Sequence, residues 1–378
     1  MEYLFYFAHP AQFLFARNSV RRLKKSGHQV HVLIKGKDVL EDLISGSGIA
    51  YHNILPEKRG NSKLAILYSL LKRNLKLISF LRNNKTDVLI GTDASIAQVG
   101  KLFGKETITI LEDDYDIIRQ LAKLTYPYTK HILVPYPCEV GPYEHKKIGY
   151  PGYMKLAYLG PGLFKPDRSI VNLPEAPYFL LRLSALQAHH DEGVKGLNDQ
   201  VLLEIIQKLN RHGNVYISSE KELKPDFEQY RLQLNPADIH HYLYFSEMFV
   251  SDSQSMSVES ALLGVPSIRV SDFAGRISVL NELEDDYQLT FGIKPGDNDA
   301  LMGKLEELLF MENRKNIFHK RRFNMLSEKI DVSEFFTWFL MEYPRSVDEL
   351  NKNPDYVDRF KYDQNVLDEI RKSVRSEV

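Results

Sequence analysis

Ser253, Ser255 and Ser257 alternate along one stretch and lead to Glu259, with Ser251 and Asp252 before them and Gly264 and Pro266 behind. Serine is a favoured helix N-cap. A run of serines ahead of the helical run 258–263, closed by Gly264 and Pro266, predicts strand, turn, short helix and second strand over residues 248–270. Such a helix start leaves N–H groups unpaired at the positive end of a dipole, which suits a phosphate. Glu259, one turn in, can accept hydrogen bonds from a ribose. The same residues also describe an ordinary capped crossover helix.

Other reactive side chains sit where strands are expected to end. His9 follows the first apolar run, Asp93 lies in Gly91-Thr92-Asp93, and Asp113 and Asp114 belong to an acidic run over 112–116. Crowded carboxylates raise one another's pKa, and a raised carboxylate or a histidine is what proton transfer near neutrality requires. Asp93, Asp113 and Asp114 are equally suited to cap the helices that follow. Further along, Arg182, Ser184, His190 and Lys195 fall in a polar loop, Ser219 and Glu220 end another strand, and Arg276 follows a third. Lysine and arginine there are suited to a diphosphate. The adjacent His189 and His190 have no third ligand placed by spacing, so no metal is expected.

These groups need a scaffold that gathers strand ends. Apolar runs at 3–8, 30–34, 87–91, 107–111 and 131–135 alternate with helical patterns at 12–26 and 61–83, which predicts a parallel sheet. Residues 149–167, rich in Gly, Pro and Tyr, mark a boundary. A second alternation follows, with strands expected at 178–183, 215–219, 242–245, 249–251 and 267–270 and helices at 198–211 and 256–263. The expected fold class is α/β: two Rossmann-like doubly wound parallel-sheet domains facing a cleft. The expected domains are 1–150, a linker at 151–167, 168–330, and C-terminal helices with a charged tail at 331–378.

With 49 Lys and Arg against 50 Asp and Glu in 378 residues, no global field draws nucleic acid. A single cysteine, Cys138, excludes an internal disulfide and a multi-cysteine metal site. The opening residues carry an acid where a signal peptide would be basic, and no apolar run is long enough to span a bilayer, so a cytoplasmic protein is expected. The helix over 61–83 carries Lys63, Lys72, Arg73, Lys76 and Arg82 and no acid. That face suits either solvent or peripheral contact with anionic lipid on the inner side of a membrane. No P-loop, Gly-x-Gly-x-x-Gly or nucleophile elbow is present, which excludes the kinases, dehydrogenases and serine hydrolases built on them.

Ser251-Asp252-Ser253 followed by Glu259, Leu263-Gly264 and Pro266 resembles UDP-N-acetylglucosamine 2-epimerases and, more loosely, the peptidoglycan N-acetylglucosaminyltransferase. Over residues 1–310 the chain is similar to an uncharacterised bacterial and archaeal family of glycosyltransferase-B fold. The shared stretches include Arg182-Leu183-Ser184-Ala185, Lys195-Gly196, Ile217-Ser218-Ser219-Glu220 and Gly275-Arg276. The resemblance implies that Ser253, Gln254 and Ser255, with Met256 and Ser257 behind them, bind the diphosphate of a nucleotide sugar, and that Glu259 binds its ribose. The epimerases have two glycines where this chain has Gln254 and Ser255, so side-chain hydroxyls take the place of a close backbone approach. It implies a UDP-sugar as substrate, no cofactor, and a carbohydrate or lipid-linked acceptor in surface-polysaccharide or glycolipid assembly. Inverting transfer is the first expectation. Epimerisation and a non-catalytic scaffold are the alternatives.

Overall fold

The computed structural model describes residues 1–36, 38–55, 63–183, 197–219 and 222–376. Apolar runs of four to seven residues alternate with amphipathic helices from the first residue, and the chain winds accordingly. The order is β1 (Glu2–Phe7), α1 (Pro10–Lys25), β2 (Gln29–Lys35), α2 (Asp38–Gly46), β3 (His52–Leu55), α3 (Lys63–Asn83), β4 (Val88–Gly91), α4 (Ala94–Leu102), β5 (Glu106–Ile110), α5 (Arg119–Thr125), β6 (His131–Pro135) and β7 (Lys147–Tyr150). The seven strands are parallel in the order β3-β2-β1-β4-β5-β6-β7. Connections run outward from β1 in one direction and then from β4 in the other. Right-handed crossovers therefore put α1 and α2 on one face and α3, α4 and α5 on the opposite face.

The second alternation gives β8 (Tyr178–Leu183), α6 (Asp199–Leu209), β9 (Asn214–Ser219), α7 (Ile239–Tyr244), β10 (Met248–Ser251), α8 (Gln254–Leu263), β11 (Ser267–Val270), α9 (Ser278–Asp285), β12 (Thr290–Ile293), α10 (Asn298–Leu309) and α11 (Arg314–Glu328). Its five strands are also parallel, in the order β12-β11-β10-β8-β9. The chain ends with α12 (Val332–Met341), α13 (Arg345–Lys352) and α14 (Gln364–Ser376). Two compact units result: Met1–Tyr158 with Ile330–Lys361, and Leu159–Lys329 with Tyr362–Val378. Both are the doubly wound parallel α/β class that the alternation predicts.

One expected strand is absent: residues 242–245 close helix α7 and its turn instead. Their aromatic run suits a strand, but Pro236 and Asp238 start a helical turn just upstream, and Tyr242 and Leu243 bury on one side of it. Strands β3, β7 and β12, four residues each, carry too little periodicity to be read from sequence.

In the first unit α12 packs on α1. Phe336 lies 4.6 Å from Phe15 between ring centroids, and the hydroxyls of Ser19 and Thr337 meet at 2.8 Å. The Tyr3 hydroxyl donates to the Leu340 carbonyl at 2.6 Å, and burial pushes this phenol up to about 12. In the second unit α8 ends at Gly264 in the left-handed region, φ +76°, where an added Cβ would stand 3.0 Å from Cδ of Arg322. Gly264→Ala is therefore expected to lower stability by about 1–2 kcal/mol, read as a drop in thermal midpoint. An unchanged midpoint would show that the turn accepts another conformation.

Candidate functional site

In parallel sheets of this kind, ligands gather where the strand order reverses, at the C-terminal edge. The second unit reverses between β8 and β10, since β9 lies on one side of β8 and β10 to β12 on the other. Arg182 near the end of β8 is in register with Ser251 at the end of β10, and its Nη1 donates to Ser218 Oγ on β9 at 2.7 Å.

From Ser251 the chain turns into α8 through a serine network. Ser253 N–H donates to Ser251 Oγ at 2.7 Å, Met256 N–H donates to Ser253 Oγ at 3.3 Å, and Ser257 Oγ donates to the Ser253 carbonyl at 2.9 Å. Ser251 and Ser257 are fully buried and Met256 nearly so, whereas Ser253, Gln254 and Ser255 are half-buried at the edge. Among the described residues, no acceptor takes the N–H groups of Gln254 and Ser255. Of the three serines offered as caps, Ser253 is the cap, and α8 starts at Gln254, two residues before the helix expected at 256–263. Ser257 serves the helix from inside, and the first-turn donors lie at the switch point.

The Gln254 side chain is committed elsewhere. Its amide donates to Ser271 Oγ at 2.6 Å and its Oε1 accepts from Arg269 Nη1 at 2.5 Å. Arg269, fully buried in β11, also donates from Nη2 to Glu284 on α9 at 2.7 Å. Burial pushes the Arg269 guanidinium down and the Glu284 carboxyl up, each partly offset by the other. Gly292 admits this pair, because a Cβ there would stand 2.8 Å from Arg269 Nη2. Gln254 therefore offers a ligand its backbone N–H. Glu259 is buried one turn inside α8, with Oε2 3.3 Å from Nε2 of His240 on α7. Phe164 packs edge-on against the His240 ring at 6.0 Å. Arg276 is exposed after β11, over the Phe273 ring at 5.4 Å. Ser219 is half-buried at the end of β9. Ser184, His190, Lys195 and Glu220 lie outside the described residues.

The first unit reverses between β1 and β4, which places His9 and Asp93 at adjacent strand ends. His9 is exposed and caps α1, its Nδ1 accepting from Ala11 N–H at 3.2 Å. With Nδ1 as acceptor, a neutral ring carries its proton on Nε2, which makes it a donor to oxygen. Asp93 caps α4, accepting from Ser95 N–H at 2.9 Å, and its other oxygen pairs with Arg73 of α3 at 2.5 Å. Beside them, burial followed by the Asp93 charge pushes the Tyr6 phenol up. Glu112 accepts from Met154 N–H at 2.5 Å and pairs with Lys155, and burial holds its carboxyl above the usual range. Asp114, buried, accepts from Glu139 N–H at 2.8 Å. Asp113 is half-buried between them and makes no hydrogen bond to the described residues. Among the described residues, no group of three or more His, Cys, Asp or Glu side chains is placed to hold a metal ion.

Two doubly wound parallel units, each with an edge of this kind, define the glycosyltransferase-B fold. No family model matches the chain, and no curated protein matches it. Solved structures do. The co-structure of S. aureus MnaA with UDP superposes with a TM-score of 0.67 at 11% identity, over 92% of this chain and 98% of that one. UDP-GlcNAc 2-epimerase from Neisseria meningitidis, bound to UDP-GlcNAc, gives 0.58 at 13% over 90% and 100%. The spinosyn forosaminyltransferase SpnP gives 0.58 at 14% over 90% and 99%. The chain shares its fold with both epimerases and glycosyltransferases. Nothing in the sequence marks His240, Arg269 and Arg73 as the partners of Glu259, Gln254 and Asp93.

Proposed function

We propose that the protein is a nucleotide-sugar-dependent glycosyltransferase of surface-polysaccharide or glycolipid assembly, inverting and metal-independent, with the donor held by the C-terminal unit and the acceptor by the N-terminal unit. The observation that carries this reading is the start of α8. Two first-turn N–H groups without a partner among the described residues lie at the switch point, next to the Ser253 cap and one turn from the buried carboxylate of Glu259. In this reading the diphosphate accepts from Gln254 and Ser255 N–H and from the Ser253 and Ser255 hydroxyls, with Arg182 and Arg276 at its flanks, and Glu259 accepts from the ribose hydroxyls. Ser184, His190, Lys195, Ser219 and Glu220 belong to the same donor site by sequence. Asp113 takes the proton of the acceptor hydroxyl. The oxygen then forms its bond to the anomeric carbon on the face opposite the diphosphate, which leaves with the electron pair of the broken C–O bond and is stabilised by the α8 dipole.

Calorimetry with UDP and UDP-sugars tests the site. Binding is expected to survive a chelator and to fall about ten- to hundredfold in Glu259→Ala, the weight of charge-assisted hydrogen bonds from ribose. Absence of binding by any nucleoside diphosphate would sink the proposal and leave the scaffold alternative. The epimerase alternative draws on the superposition with MnaA at a TM-score of 0.67. It requires deuterium from heavy water to enter the recovered nucleotide sugar. Transfer without deuterium uptake removes it.

A further inference from the structure

We propose that the outer face of α3 binds an anionic lipid bilayer as a peripheral surface, an inference that does not depend on the proposed reaction. The inner face of α3 is fixed by Leu77 and Leu81 in the core, by the Arg73–Asp93 pair at 2.5 Å and by Asn74 donating to Gln98 of α4 at 3.2 Å. That orientation turns Tyr68, Leu71 and Leu75 outward at helical spacing, with exposures of 68%, 53% and 67%. Single exposed apolar residues are normal on any surface, but no other described helix carries more than one large one.

Within the three helices of this layer, α3, α4 and α5, the charged side chains are all basic. α3 contains no Asp or Glu, and at 100° per residue Arg82 falls with the stripe of Tyr68, Leu71 and Leu75, while half-buried Lys72 and exposed Lys76 border it on one side. The two helices beside it on this face of the sheet, α4 and α5, also lack acids. Each ends with an exposed leucine, Leu102 and Leu124, and carries a cation close by in Lys101 and Lys123. The layer is cationic although the whole chain has a formal charge of −1. A second copy of the chain fits this face poorly, since a two-fold contact would set these basic helices against one another and none of the three carries an acid. An apolar stripe bordered by cations matches the acyl boundary and phosphates of an anionic bilayer. No described helix is long and apolar enough to cross a membrane, so the contact lies in the interface.

The test is co-sedimentation of the full chain with phosphatidylcholine vesicles, with and without phosphatidylglycerol, at low and high salt. Binding is expected only with phosphatidylglycerol, weakened by salt. It should fall at least about tenfold in Leu71→Glu/Leu75→Glu, which removes apolar contact and adds repulsion. Lys72→Gln/Lys76→Gln should flatten the salt dependence. Leu203→Glu on α6, where Leu203 is 44% exposed, should leave binding unchanged, with thermal unfolding verifying the fold of each variant. No binding to anionic vesicles, or equal binding by Leu71→Glu/Leu75→Glu, would overturn the proposal. So would a dimer in sedimentation velocity that this variant breaks, which would assign the face to a second copy.

Discussion

Asp113→Asn is expected to lower turnover by about 10²–10⁴-fold and leave nucleotide affinity unchanged, the signature of a lost general base. The expectation rests on the partners of the acids at the first unit's strand ends, exposed Asp116 being paired with Arg119 at 2.8 Å. Both oxygens of Asp93 are taken, by Ser95 N–H and Arg73, and both oxygens of Glu112, by Met154 N–H and Lys155. Asp114 is 6% exposed and holds the backbone at Glu139. His9 accepts at Nδ1 from Ala11 N–H, so in the neutral ring the proton sits on Nε2, which makes that nitrogen a donor rather than a base. A base is strongest where no donor or cation already stabilises its charge, and Asp113 among these is half-buried and makes no hydrogen bond to the described residues. His9→Ala should then reduce turnover less than Asp113→Asn. Asp93→Ala should act on stability, since it removes a cap and leaves the buried Arg73 unpaired. Turnover unaffected by Asp113→Asn but lost in His9→Ala would reverse the assignment.

The contrast between α8 and its supports shows what the sequence makes legible. Ser253 as cap, Gly264 at positive φ and Pro266 beyond it act within a few residues of the chain, and each is where its type predicts. The Arg269–Glu284 pair spans fifteen residues and exists only because α9 folds back beside β11 and β12, so neither residue announces the other. His240 escaped for a different reason. Its neighbours at 242–245 carry an aromatic run with strand character, and a strand there would not place His240 beside Glu259. The single basic face expected of α3 fails at Arg73, which is buried and paired with Asp93. At helical spacing it falls with Leu77 and not with Tyr68, Leu71 and Leu75, so the cations of α3 divide into one that faces Asp93 and others that face outward.

Arg269→Met is expected to cost about 3–5 kcal/mol, the largest stability loss proposed for this chain, because it strands the Glu284 carboxylate in the interior. The displacement of both members from their ordinary pKa in the direction of neutrality says that burial outweighs their attraction. A pair of that kind adds little stability of its own, and replacing both partners should be far milder. Arg269→Met/Glu284→Leu is accordingly expected to recover most of the loss, giving a coupling energy in a double-mutant cycle well above about 1 kcal/mol. What the double variant cannot restore is the bond from Arg269 to Gln254 Oε1, which fixes the first residue of α8 from beneath. Nucleotide affinity should therefore stay low in the recovered protein while its midpoint returns toward that of the parent. If affinity returned with stability, the network would be packing alone, and the position of Gln254 would be set by Ser271 and the serine turn.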